Sequence, residues 1–363
     1  MNTSRVEHIL DLAQAQGLDA LAVMPGPNLL YMIGLPFHLS ERPVLAVFPV
    51  DAPPALIVPV FEASKAASFE VFAYTDEDGY ALAFHEACAV LELPEARIGV
   101  EALQMRLLEA RALQRYAPGA ILTPADDLFV QLRMVKEVEE LAAQRRAIAV
   151  AERAFLAWYP QLRVGMTEKE AAARLIATLL THGAEALAFD PIVASGPNGA
   201  LPHATPGGRA LCAGDWLIVD WGAQVDGYLS DITRMVVLGE PAGPLLEAHR
   251  IVVAANAAGR GAVRSGIHAQ AVDVAARAVI TEAGFGAHFT HRTGHGLGLE
   301  IHEPPYLLAG NVQPLRAGMT FTVEPGIYLE GVGGIRIEDD VLVTETGQET
   351  LTTLPREPFV VPM

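Results

Sequence analysis

The chain has 363 residues, 51% hydrophobic and 19% charged, a composition that excludes disorder and leaves room for two domains and a large core. Its 25 basic and 43 acidic residues give a formal net charge of -18, which works against binding nucleic acid or an anionic membrane surface, since both would repel it. Two widely separated cysteines, Cys88 and Cys212, exclude a disulfide framework, and no run reaches the ~18 apolar residues of a membrane-spanning helix.

The opening stretch MNTSRVEHILDLAQAQ lacks a basic segment followed by an apolar run, so a cytoplasmic protein is expected. Ser4-Arg5-Val6-Glu7 has capping-box spacing, and Val6, Ile9, Leu10 and Ala13 then fall on one helical face that ends near Gly17. Three short apolar runs follow, ALAVM, VLAVFPV and ALIVPV, with Pro25-Gly26-Pro27-Asn28 breaking the first from LLYMIG. Residues 61–101 alternate helical and strand-like pieces and end in RIGVE, and a helix is expected from Met105 to Tyr116. These pieces predict a smaller mixed α/β domain over residues 1–127, with the boundary in the segment Leu122-Thr123-Pro124-Ala125-Asp126-Asp127.

The remainder, residues 128–363, carries a long helical pattern from Lys136 to Tyr159, and a second capping box, Thr167-Glu168-Lys169-Glu170, opens a helix running to about His182. Further helices are expected around 244–264 and 270–283. Between them lie the strand-like runs FDPIVAS, WLIVDWG, TRMVVLG, FTVEP and DDVLVT. This pattern predicts an α+β domain with a curved antiparallel sheet covered by helices on its outer face. Cys212, in ALCAGDW, reads as a small buried hydrophobe.

Carboxylates inside apolar runs mark the chemistry, because each is costly unless a proton or a cation compensates it. Asp220 follows Leu217-Ile218-Val219, and Asp231 lies beyond the turn Val225-Asp226-Gly227-Tyr228, in which Asp226 is a turn residue. Glu324 follows the strand-like TFTV, and Glu338 follows GGIRI, with Arg336 on the same strand face. His291, His295 and His302 cluster in HRTGHGLGLEIHE, where glycines beside His295 allow close approach of the main chain. Four carboxylates and an imidazole suit a pair of hard-to-borderline divalent cations, which would neutralise four negative charges that otherwise repel one another.

The order Asp, Asp, His, Glu, Glu, within these local sequences, resembles metallopeptidase family M24, the methionine aminopeptidase and prolidase superfamily. The N-terminal segment QGLDALAVMPGPNLLYMIG resembles the creatinase/prolidase-type N-terminal domain, which points to the proline-specific branch. The resemblance implies the pita-bread fold for the C-terminal domain and two divalent metal ions per subunit. Manganese or cobalt are expected, with zinc or iron as alternatives. It assigns Asp220, Asp231, His295, Glu324 and Glu338 as metal ligands, with Asp231 and Glu338 bridging and Glu324 also accepting a proton from the attacking water. His203, in ASGPNGALPHATPGGR, together with His291 and His302, matches substrate-binding and catalytic histidines; Arg336 and Tyr328 match further cleft residues.

Such a protein is a hydrolase acting on peptides with proline in second position, and by the same resemblance a homodimer. Archaeal-type prolidases carry an arginine after the HE-x-P segment, whereas this chain has Tyr306 there, and a phenol is a poor substitute for a guanidinium facing a carboxylate. The expectation is therefore an Xaa-Pro aminopeptidase, with an Xaa-Pro dipeptidase as the alternative and Arg292 or Arg316 as other basic residues able to serve. A metal-free creatinase-like hydrolase or a non-catalytic binding protein of the same fold fits less well, because all five ligand positions are kept.

Overall fold

The computed structural model describes residues 3–362. The chain divides into two compact units, Met1–Arg133 and Met134–Met363. Residue 127, where the sequence places the boundary, falls within the helix Asp126–Arg133, whose Leu128 and Phe129 pack into the core of the first unit.

In the first unit the three apolar runs become the strands Ala20–Val23, Leu45–Pro49 and Ala55–Pro59, buried at every position. They form the middle of a six-stranded sheet, with Glu70–Tyr74 outside Ala55–Pro59 and with Arg97–Val100 and Ile121–Pro124 beyond Ala20–Val23. The three middle strands run antiparallel, and the outer pairings are parallel. Their side chains alternate between two cores. Leu21, Val23, Ala46 and Phe48 meet the helices Thr3–Ala15, Pro27–Ile33 and Asp126–Arg133, while Ala20, Ala22, Leu45 and Val47 meet Ala81–Val90 and Leu107–Tyr116. Helices on both faces are why these runs read as continuously apolar. The first helix already includes Ser4, which stood as its cap in the sequence.

In the second unit the strands are hydrogen-bonded as separate pieces. An antiparallel five-stranded sheet has the order Glu303–Leu307, Gly294–Gly296, Thr320–Val323, Asp339–Val343, Gln348–Thr350. A four-stranded sheet has the order Phe359–Val361, Ile232–Leu238, Trp216–Trp221, Ile192–Ser195, its first pairing parallel. Along Trp216–Trp221, Leu217, Val219 and Trp221 enter a core shared with the helices Val138–Trp158 and Glu168–Thr181. Trp216 and Ile218 enter another, shared with Pro244–Ala262 and Gln270–Glu282. Trp221 is anchored by stacking on Phe155, with ring centroids 4.3 Å apart, and by its indole N–H donating to the Ala151 carbonyl at 3.0 Å.

The capping box forms as read: the Thr167 hydroxyl accepts from the Glu170 amide at 3.2 Å, and the Glu170 carboxylate accepts from the Thr167 amide at 2.8 Å. Cys88 is buried, but Cys212 is exposed, contrary to expectation. It lies in a turn whose hydrogen bond, from the Cys212 amide to Asp215 at 2.7 Å, directs the chain and leaves the thiol outside the core. Among the described residues no helix is long and apolar enough to cross a membrane.

Candidate active site

A cavity of about 270 Å³ in the second unit is lined by Asp220, Asp231, His295, Glu324 and Glu338, together with His203, His291, His302 and Arg336. The strand alternation delivers Asp220, which shares a face with Trp216 and Ile218 and pairs across the ladder with Thr233. Asp231 immediately precedes the neighbouring strand, Ile232–Leu238. His295 sits at the centre of Gly294–Gly296, where backbones crowd: a Cβ on Gly294 would lie 1.9 Å from the Thr322 carbonyl oxygen, and one on Gly296 would lie 2.3 Å from that of Pro304. Glu324 directly follows Thr320–Val323, and Glu338 directly precedes Asp339–Val343.

Asp231, His295 and Glu338 bring one ligand atom each within 4.8 Å of one another. The His295 Nδ1–H donates to the Gly296 carbonyl at 3.1 Å, leaving Nε2 as a lone pair 3.6 Å from Asp231 and 3.4 Å from Glu324. Burial holds the His295 imidazole well below its ordinary pKa, with His302 acting in the same direction. Asp231 and Glu338 are pushed well above the ordinary carboxylate range, first by burial and then by the neighbouring carboxylates. Glu324 rises to about 7 through burial and the charge of Asp220, against the opposing pull of Arg336. The buried Asp220 Oδ1 has no hydrogen-bond partner. Buried carboxylates that repel one another hold protons, whereas the imidazole is kept neutral with a lone pair free; a divalent cation would favour the ionised carboxylates and take that lone pair as it stands. The donor set therefore fits divalent metal.

Arg336 organises a hydrogen-bond network at the same cavity. Its guanidinium donates to Asp220 at 2.6 Å, to the Tyr328 hydroxyl at 2.9 Å, to Thr233 at 3.1 Å and to the Pro202 carbonyl at 3.0 Å. The Tyr328 hydroxyl then meets His291 Nε2 at 2.8 Å, and His291 Nδ1–H donates to the Arg292 carbonyl at 2.7 Å. Burial, reinforced by Arg336, lowers the His291 pKa to about 4, which keeps the ring a neutral acceptor. Burial pushes Tyr328 up to about 12, which keeps its proton available to donate. Arg336 and Glu338, which the sequence places on one strand face, are both buried, and Arg336 pairs with Asp220.

Several supporting residues escaped the sequence reading. The Thr233 hydroxyl donates to Glu338 at 2.6 Å, and Asp340 accepts from the Asp231 amide at 3.2 Å. Asp340 is itself pushed up by burial. Its only sequence signal was two adjacent aspartates opening an apolar run. Glu168, fully buried, accepts from the Ser195 amide at 2.8 Å and hydroxyl at 2.7 Å, from Asn198 at 3.0 Å, and from the Gly207 amide at 3.1 Å. It thus holds both ends of the segment carrying His203.

The profile of metallopeptidase family M24 matches residues 142–345, and that of the creatinase/prolidase N-terminal domain matches residues 5–135. The chain belongs to metallopeptidase family M24. This M24 chain is 38% identical over 357 residues to the probable dipeptidase PepE of Mycobacterium tuberculosis (strain ATCC 25618 / H37Rv), covering 96% of this chain and 93% of that one. The recombinant prolidase from Thermococcus sibiricus is 33% identical, with a TM-score of 0.95 over 99% of each chain. The X-Pro aminopeptidase from Thermotoga maritima MSB8 is 36% identical, with a TM-score of 0.85 over 97% of this chain and 100% of that one. The α+β architecture is that of the pita-bread M24 peptidases preceded by a creatinase/prolidase domain, and the chain is a hydrolase of the prolidase group.

Proposed function

We propose that this M24 peptidase is a metal-dependent Xaa-Pro dipeptidase whose metal ligands are Asp220, Asp231, His295, Glu324 and Glu338. The observation that carries the metal-dependent part is the convergence of raised carboxylates and a depressed imidazole on one cavity. When bound, a pair of divalent cations supplies Lewis acidity and lowers the pKa of the attacking water. Glu324, brought to about 7 by burial, takes up a proton and delivers it to the proline nitrogen as the amide breaks. His203 and His302 face the cavity from its rim and stabilise negative charge developing on the scissile carbonyl oxygen. The Arg336–Tyr328–His291 chain fixes the ring of His291 towards the substrate. Phe189, Ile192, Pro202 and Ile301 supply apolar lining that suits a pyrrolidine ring, which has no N–H to satisfy.

The preference for an aminopeptidase, drawn from Tyr306, gives way here to the dipeptidase alternative. Similarity to proteins described as dipeptidase and prolidase supports that change. Similarity to an X-Pro aminopeptidase keeps the longer-peptide reading as the second one. Xaa-Pro and Xaa-Pro-Yaa peptides assayed side by side, after chelation and after adding back single metals, test both. Chelation is expected to abolish cleavage, manganese or cobalt to restore it, and the dipeptide to be strongly preferred. Comparable cleavage of the tripeptide replaces the dipeptidase reading with the aminopeptidase one.

A further inference from the structure

The cavity histidines differ in what holds them. His291 is fixed at both ring nitrogens, and Glu168 holds the segment that carries His203. The His302 ring makes no hydrogen bond among the described residues; it stands edge-on to the His295 ring, with centroids 4.3 Å apart. Its placement therefore depends on its backbone, residues 297–302, which close the hairpin between Gly294–Gly296 and Glu303–Leu307. That backbone is tied at both ends to one helix start. The Leu297 carbonyl accepts from the Gln144 side chain at 3.0 Å, and Lys136, just ahead of the helix Val138–Trp158, pairs with Glu303, the residue after His302. The Lys136 and Glu303 side chains are 1% and 6% exposed, and neither lines the cavity. Gly298 leaves the pair its room: a Cβ there would lie 2.7 Å from Glu303 Oε1, the same oxygen that Lys136 holds.

We propose that the buried Lys136–Glu303 ion pair is a positioning device that holds His302 at the cavity rim, where its ring meets the oxyanion as it develops. This inference rests on the role given to His302 in the reaction above. Desolvation of two charges cancels much of their attraction, so stability alone does not account for an ion pair buried here. What the pair supplies is a short, directional contact one residue from a ring that nothing else anchors. Misplacing such a ring by about 1 Å is enough to lose much of its effect on the transition state. Gly298, which the sequence offers only as one more glycine near His295, becomes the space in which the carboxylate sits.

Steady-state kinetics of the manganese-loaded protein on Ala-Pro test the assignment with two independent variants. Lys136→Met removes one charge at similar length, and Gly298→Ala keeps both charges but displaces the carboxylate. Each should lower kcat roughly tenfold or more with little change in KM, because a misplaced group that acts on the transition state is not felt in binding. Metal content should stay at the wild-type level; a kcat lowered through lost metal overturns the positioning role. In a His302→Ala background neither variant should lower kcat further. If Lys136→Met does not fold, Gly298→Ala gives the reading by itself. Equal losses of kcat with and without His302, or an unchanged kcat in the single variants, overturn the positioning role and leave the reaction standing. A His302→Ala variant with wild-type kcat overturns the role of His302 and this inference with it. A metal-loaded protein that cleaves no Xaa-Pro substrate overturns the proposed function and the inference together.

Discussion

Glu324 is the side chain on which the proposed chemistry turns. Its carboxyl is carried up to about 7 by burial and by the nearby charge of Asp220, while Arg336 restrains the rise. An acid poised near neutrality can both accept and return a proton. Glu324→Gln keeps the shape and removes that capacity, so kcat is expected to fall by at least ~100-fold. Metal content, measured by mass spectrometry on the same sample, separates loss of proton transfer from loss of metal. A variant turning over at near-wild-type rate excludes Glu324 from the transfer. At this scale the sequence was readable where chemistry and hydropathy conflict: Asp220, Asp231, Glu324 and Glu338 stand in or beside apolar runs, and the cavity gathers all four. Thr233 and Asp340 were not readable. A threonine in a strand is ordinary β sequence, and its hydrogen bond to Glu338 spans 105 positions that local patterns do not connect.

The helix Glu168–Thr181 shows how an element can do two jobs from one turn. Its capping box was legible from Thr167 and Glu170, because spacing alone specifies that contact. Between them stands Glu168, and an acid is ordinary in the first turn of a helix. The structure instead turns it inward, where its acceptors hold Ser195, Asn198 and Gly207, partners between 27 and 39 positions away. Glu168→Ala would strand several buried donors and should cost about 3 kcal/mol of stability. It should also lower kcat/KM, by releasing the segment that carries His203. In a His203→Ala background the stability loss should persist, while the kinetic loss from Glu168→Ala should largely vanish. Fully additive kinetic losses would show that Glu168 acts on catalysis by some route other than His203.

For the whole molecule, the acidic cavity links metal, protons and folding. A carboxyl whose folded pKa exceeds its unfolded one stabilises the fold below the unfolded value and loses that contribution as pH rises through the folded value. For Glu324 this window runs from 4.5 to about 7, and Asp231 and Glu338 shift in the same direction. Bound cations favour the ionised carboxylates and so remove the loss. The melting temperature gained on adding manganese to chelated protein should therefore grow between about pH 5 and about pH 7. His291 and His295 shift the other way, and their contribution falls away as pH drops below 6.5. They remain neutral with or without cations, so they cancel in the difference. A gain independent of pH would exclude proton-for-metal exchange at these carboxylates.

The arrangement of Trp216–Trp221 limits how this molecule can change. Its odd-numbered residues fill one core, while its even-numbered residues fill a second as far as Ile218 and then present Asp220 to the cavity, so two messages are written in alternate letters of one short word. Adding or deleting a single letter upstream of Asp220 would exchange the two meanings, turning the carboxylate into the packed interior and Trp221 out into the cleft. This strand can accept only replacements that keep its reading frame.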